Sequence, residues 1–412
     1  MFPWQDILAV ILSRTLAMYL DPTFWTILAL VIFQYWQMQK SQKRMFGVHS
    51  YSIKQQVFMA AAYGMIGGII GSLLLMMFGV TLNQLGLNYI WPVAIVLMMI
   101  NMRFLCFAYA GGLVAVSNVL FGWPVVNVPQ VLALVAILHI TESILIAISR
   151  RYGAIPLILK RETGQLVGAF NLQNFWPLPL VLLTAMAVPT NDLPSGIIKM
   201  PEWWPVIPSG LQLSEGQRWI YATMPVVAAL GYADIAVASS PHKRRMQSAF
   251  HLGIYSVILL VLAILAARFE WVKIFAALAS PLGHEYLIQR DNQREMAAPP
   301  RFVPPEIGVM VLDTIYETPA RAAGLQPGDI ITRLNDTGIR RPQDLSTALL
   351  NVPEECWMEF ERDGQMLRQK VKFKSGKTLG VILVPNGNEE SYAEMNTERV
   401  GIFDWVKRKF KR

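Results

Sequence analysis

Residues able to do chemistry are sparse along this 412-residue chain, and each lacks the partners its chemistry requires. His284-Glu285-Tyr286-Leu287-Ile288 begins as a zinc-protease motif would. That motif needs a second histidine one helical turn on, with the glutamate as general base. Ile288 stands at that place. His139 and Glu142 are three residues apart and share a helix face. A proton relay or metal site there needs further ligands, and the sequence offers no obvious ones. The pair therefore reads as a structural hydrogen-bonded pair. Asp234 has Lys243 and Arg244 nearby as ion-pair partners, and Arg14 stands alone in an apolar run. No Gly-x-Ser-x-Gly elbow occurs, and five histidines leave little room for a zinc site. The expectation is a protein that is not an enzyme, with no catalytic residues, no metal and no cofactor.

The elements around these residues are set by composition. The chain is 54% hydrophobic and 16% charged, against about 25% charged in ordinary soluble proteins. The deficit is confined to residues 1–288, which read as a membrane domain. A spanning helix takes roughly 17–25 mostly apolar residues. Segments 22–38, 57–80, 104–121, 129–148, 219–239 and 250–267 meet that length. Segments 87–101 and 175–189 are shorter. Segments 6–20 and 271–288 carry Arg14 and Lys273, His284 and Glu285 respectively, which brings the expectation to eight to ten segments. Alternate loops are basic: Lys40, Lys43, Arg44 and Lys54, then Arg150, Arg151, Lys160 and Arg161, then Lys243, Arg244 and Arg245. Positive loops face the cytoplasm. That pattern accounts for most of the net charge of +8 and, without an aromatic platform, argues against nucleic acid. Two cysteines, Cys106 and Cys356, exclude a disulfide framework in practice. No cleavable signal peptide is evident.

Two stretches of the membrane domain stand out. Gly64, Gly67, Gly68 and Gly71 allow a close helix approach, read as packing within the bundle rather than a dimer seam. In the loop 150–174, runs Ile155–Leu159 and Leu166–Phe170 flank a polar turn, which predicts a cytoplasmic hairpin.

Beyond residue 288 the sequence becomes that of a soluble domain. Residues 289–305 read as a stiff, Pro-rich linker. Residues 306–386 then run through a strand at Val309–Ile315, Thr318-Pro319-Ala320, Ala323-Gly324-Leu325, Gln326-Pro327-Gly328-Asp329 and a helix opening at Pro342. Two strands joined at Asp363-Gly364 follow. This series resembles a bacterial-type PDZ domain. The resemblance implies a mostly β, small α/β fold that binds a carboxyl-terminal or internal peptide by adding it to a sheet edge. The small apolar loop that a PDZ domain needs is found at Leu379-Gly380-Val381-Ile382, after the last hairpin, which implies circular permutation. The expected groove has Leu345 and Leu349 as its floor and Lys377 beside the carboxylate. Ile307-Gly308-Val309 is the competing loop.

The final residues, 387–412, put Ile402, Phe403, Val406 and Phe410 on one helical face beside Lys407, Arg408 and Lys409. That suits an interfacial helix on anionic lipid. The fold class expected is thus an α-helical polytopic membrane bundle followed by a permuted PDZ domain and a basic tail. This layout resembles the MinJ-like family of Min-system cell-division topology proteins. The resemblance implies a multi-pass protein of the bacterial cell membrane, at septum and poles, with its PDZ domain cytoplasmic. It implies a scaffold bridging a DivIVA-like polar protein and a MinD-like division inhibitor. The alternative is a PDZ-containing regulatory partner of a membrane protease or quality-control system.

Overall fold

The computed structural model describes residues 1–149, 152–190, 197–210, 212–373 and 378–394. Helix α1 (Trp4–Met18) meets α2 (Pro22–Phe46) at a 70° bend. Asp21 produces the break: its carboxylate accepts the Thr23 N–H at 2.7 Å, and Pro22 opens the new helix. Helix α3 (Ile53–Phe78) starts at a Ser52–Gln55 capping box and stops at Gly79, whose φ of 75° is left-handed. Helices α4 (Leu87–Ile100) and α5 (Phe107–Phe121) are short and apolar, separated by a 3₁₀ turn at Met102–Leu105. Helix α6 (Val128–Ile148) is buried over most of its length. Helices α7 (Pro241–Ala266) and α8 (Val272–Ala297) complete the body. Among the described residues three helices, α3, α6 and α7, are long and apolar enough to cross a membrane, and the number of spans rises to four if the bent pair α1–α2 counts as one.

Two segments expected as spanning helices are strands. Residues 175–189 lie in β2 (Leu166–Pro189), and 219–236 lie in β3 (Gln217–Ala236). The two pair antiparallel without a break from Phe170 opposite Ala236 to Pro189 opposite Gln217. The physical reason is in the sequence: Pro177 and Pro179 would each cost about 3 kcal/mol inside a helix. The expected hairpin is present as β1 (Ala154–Lys160) against the start of β2, with Lys160 opposite Leu166, but it is one corner of a larger sheet. Strand β1 also takes a short parallel strand, the last element of the described chain, at Ala393–Glu394.

Beyond Leu172, β2 has a strand on one side alone. Its other edge is closed mainly by α3 and the loop after it. Pro177 and Pro179 have no N–H to satisfy, and their carbonyls lie against Gly64 and Gly68, where a Cβ would come within 2.2 and 2.5 Å. The Val181 N–H donates to Ser72 Oγ at 2.8 Å. The Leu82 N–H donates to the Leu183 carbonyl at 2.7 Å. Asn83 accepts from the Ala185 N–H and donates to its carbonyl. The glycine stripe is therefore used within the chain, against β2 and, at Gly67, against Leu145 of α6.

The C-terminal domain comprises β4 (Val309–Thr314), α9 (Pro319–Ala322), β5 (Ile330–Leu334), β6 (Thr337–Gly338), α10 (Pro342–Leu350), β7 (Glu355–Arg362), β8 (Gln365–Lys372) and β9 (Val381–Leu383); Ala393–Glu394 is β10. Its strand order is β8-β7-β5-β4-β9, with β6 beside β5. Residues 289–297, expected to be linker, instead continue α8. The short connection that remains is itself docked. Arg301 donates to the Val237 carbonyl at 2.9 Å, and Gly168 donates to the Phe302 carbonyl at 2.8 Å. Phe302 is fully buried against Phe170. The loop before α3 holds the far side: Ser50 Oγ donates to Asp313 at 2.6 Å, and the Arg321 guanidinium lies over the Tyr51 ring.

The seal on β2 predicts a sharp sensitivity. Gly68→Leu drives a side chain into the Pro179 carbonyl and should destabilise the chain by at least about 1–3 kcal/mol. Gly338→Ala, facing open space, should stay within about 0.5 kcal/mol. Thermal unfolding of the full chain in detergent measures both.

Candidate peptide-binding groove

The C-terminal sheet has two edges of opposite character. On β7, Cys356, Met358 and Phe360 alternate into the core. Outside it, β8 carries Arg368, Lys370 and Lys372, ion-paired to Glu359 and Glu355 on β7. The two lysines hold the Glu355 carboxyl at about 2, well below the usual range. Charged edges of this kind resist strand addition. The other edge, β9, reads Val381-Ile382-Leu383 and carries no charge.

Strand β9 is fixed on one side by β4. The Ile315 N–H donates to the Gly380 carbonyl at 2.9 Å, and Val384 donates to Met310 at 3.1 Å. Alternation along the strand therefore turns the amides and carbonyls of Val381 and Leu383 to the open side. Strand β4 has β5 and β9 on its two sides, so Ile307-Gly308-Val309 leads into a strand with no open edge.

The loop before β9 is equally constrained. Gly380 has φ +78°, and a Cβ there would lie 2.3 Å from the Thr318 side chain. The Leu379 carbonyl accepts from the Ala320 N–H at 2.9 Å in α9, while the Gly380 carbonyl faces Ile315 at the end of β4. Among the described residues the N–H groups of Leu379 and Gly380 donate to no protein acceptor. This is the arrangement that lets consecutive amides hold a carboxylate. Thr318 was not singled out by sequence reasoning, although Thr318-Pro319 marks the turn that it fixes.

Helix α10 carries Leu345 and Leu349, the expected floor of the groove. Asp344 accepts the N–H groups of Arg340 and Arg341, both at 2.9 Å, and these hold its carboxyl below the usual range. Leu345 and Leu379 are buried in one core cluster, with Leu349, Val381 and Leu383 half-buried around it. Ile382 points the other way, into the core shared with Phe170, Phe302 and Leu312, and is 4% exposed. A peptide on β9 would therefore meet Val381, Leu383 and Leu349, while Ile382 anchors the strand to the body. Lys377 and the tail residues Phe403, Val406, Lys407, Arg408, Lys409 and Phe410 lie outside the described residues.

The Gln326–Ile330 turn is tied to β7 by Arg362, which grips Asp329 with two bonds of 2.7 Å and reaches the Gly324 carbonyl at 2.8 Å. A cavity of about 250 Å³ lies at this junction, lined by Tyr51, Phe170, Arg301, Asp313, Asp329 and Arg362 among others. A second cavity, of about 1040 Å³, opens between α2, β1 and α8, with Gln34, Gln42, Asn171 and Gln289 among polar and apolar lining residues.

Of the ionisable residues noted in the body, Asp234 pairs with Arg244 at 2.8 Å as expected, but from a strand. His139 makes no hydrogen bond to Glu142. Its ring bonds to the Val135 carbonyl and to Cys106.

A PDZ-domain family model matches residues 313–362, which run from β4 to the end of β7. The cell division topological determinant MinJ of Bacillus subtilis (strain 168) is 27% identical over 273 residues, 64% of this chain and 63% of that protein. The chain is a MinJ-like, PDZ-containing protein. The MinJ match thus spans under two thirds of its relative's length. The loop and strand at 378–383 fall beyond the matched PDZ residues, so their part in the fold rests on the pairing of β9 with β4.

Arg362→Met should destabilise this domain by about 3 kcal/mol, because the nearly inaccessible Asp329 carboxylate loses its partner. Thiol labelling of buried Cys356 in urea, in a Cys106→Ser background, follows the opening of the domain within the full chain.

Proposed function

We propose that this chain is a membrane-embedded, non-enzymatic adaptor that recruits cell-division site-selection proteins through its PDZ groove and its hairpin loop. The observation that carries the reading is the uncharged edge of β9, open among the described residues and entered through Gly380. Strand addition there would supply main-chain hydrogen bonds, and Leu349, Val381 and Leu383 would read alternate side chains. In this reading the PDZ domain is circularly permuted, its binding strand coming last. The similarity to MinJ supports a role in placing the division site. The partners are then a DivIVA-like polar protein and a MinD-like division inhibitor, with the protein at septum and poles. The body is multi-pass, the PDZ domain cytoplasmic, and the basic tail rests on anionic lipid.

Two substitutions test it. Gly380→Val fills the space occupied by Thr318 and blocks the loop. Leu349→Glu places a charge on the groove wall without touching the fully buried core. Both should abolish recruitment of the partners to the septum and lengthen cells, with Leu349→Glu protein accumulating at the normal level. Unchanged recruitment by Leu349→Glu would sink the groove assignment. A uniform membrane distribution with normal cell length in the deletion strain would sink the adaptor reading.

A further inference from the structure

Three helices of the body bring together side chains that are far apart in sequence. Cys106 caps the N-terminus of α5, His139 lies on α6 and His284 on α8. One ligand atom from each lies within 4.8 Å of the other two. Cys106 Sγ is 3.1 Å from His139 Nε2 and 3.9 Å from His284 Nε2. A tetrahedral zinc ion, with Zn–S of about 2.3 Å and Zn–N of about 2.0–2.1 Å, holds a sulfur and a nitrogen ligand about 3.5 Å apart. The two observed separations bracket that value. Shifts of a few tenths of an ångström would close the shell.

The surrounding bonds prepare the donors. His139 Nδ1 lies 2.7 Å from the Val135 carbonyl, which only accepts, so Nδ1 carries the proton and Nε2 presents its lone pair to the sulfur. Cys106 Sγ accepts the Ala108 N–H at the positive end of α5, a setting that suits the anionic sulfur a metal takes. His284 is the independent pointer. Its side chain is 7% exposed, its Nε2 has the long sulfur contact, and its Nδ1 has no hydrogen-bond partner among the described residues. Nε2, the nitrogen that faces Cys106, thus has only that long contact with protein atoms, and an ion there would give it a partner.

Neighbouring groups hold the ring in place. Tyr109 and Tyr255 meet it edge-on at 5.2 and 5.8 Å. Glu285, next in sequence, is bonded by Arg103, Tyr109 and Gln289. Arg103 and Gln289, which bond Glu285, also line the 1040 Å³ cavity.

We propose that Cys106, His139 and His284 bind one zinc ion that ties α5, α6 and α8 together. Two imidazoles and a thiolate suit a borderline-soft ion, and leave one position of a tetrahedral shell for a water or an added ligand. The site differs from the motif considered at His284-Glu285. His284 is a ligand there too, but its partners come from two other helices, and Glu285 is engaged by Arg103.

The full chain, purified in detergent without added metal or chelator, should carry about one zinc per chain by elemental analysis. After chelation, cobalt(II) should restore a sulfur-to-cobalt charge-transfer absorption. Cys106→Ser should abolish that absorption, and His284→Gln should lower zinc content about tenfold, while His242→Gln changes neither. Wild-type chain that binds no zinc and gives no charge-transfer band with cobalt overturns the proposal. Zinc retained in both ligand variants, or copper found in its place, overturns it equally.

Discussion

The structure depends on how the open edge of β2 is closed. A strand that leaves its sheet exposes alternating amides and carbonyls, and each must find a partner wherever water is excluded. Over Pro177–Ala185 several outward groups are dealt with in turn. Two positions are prolines with no amide, one amide goes to Ser72, one carbonyl to Leu82, and Asn83 takes a pair. Gly64 and Gly68 let α3 come close enough for this. Helix α6 then packs on α3 through Gly67 and Leu145, and α7 and α8 follow. The helices thus pack largely on one another, and α3 joins them to the sheet.

That sheet also places the C-terminal domain. Phe302 and Ile382 enter the body's core beside Phe170, and Ser50 and Tyr51 grip Asp313 and Arg321 from the α2–α3 loop. The groove strand is therefore held from below by Ile382 and from within by Val381 and Leu383. A domain mounted this way holds β9 in a fixed direction relative to the body. The lysine-rich β8 contrasts with the apolar β9, whose outer edge has no strand on it among the described residues.

The legible parts of the fold were those with local signals. Pro342 opens α10, Asp363-Gly364 turns β7 into β8 with φ of +48° and +82°, and Gly380 sits where a left-handed residue is needed. The pairing of β9 with β4 follows from the same domain pattern. Strands β2 and β3 were misread because long apolar runs resemble spans. Pro177 and Pro179, two residues apart, were the sign against a helix there. The inward turn of Ile382 was hidden because it depends on how the domain docks. The Cys106, His139 and His284 cluster was hidden because its members lie 33 and 178 residues apart along the chain.

Hydrogen exchange on the full chain, with and without a carboxyl-terminal peptide selected for binding, tests the groove most directly. The account predicts that the peptide slows exchange at the amides of Val381 and Leu383 and at Leu379 and Gly380, with β8 unchanged. Protection confined to β8, or binding that leaves residues 379–383 exchanging as before, would contradict it.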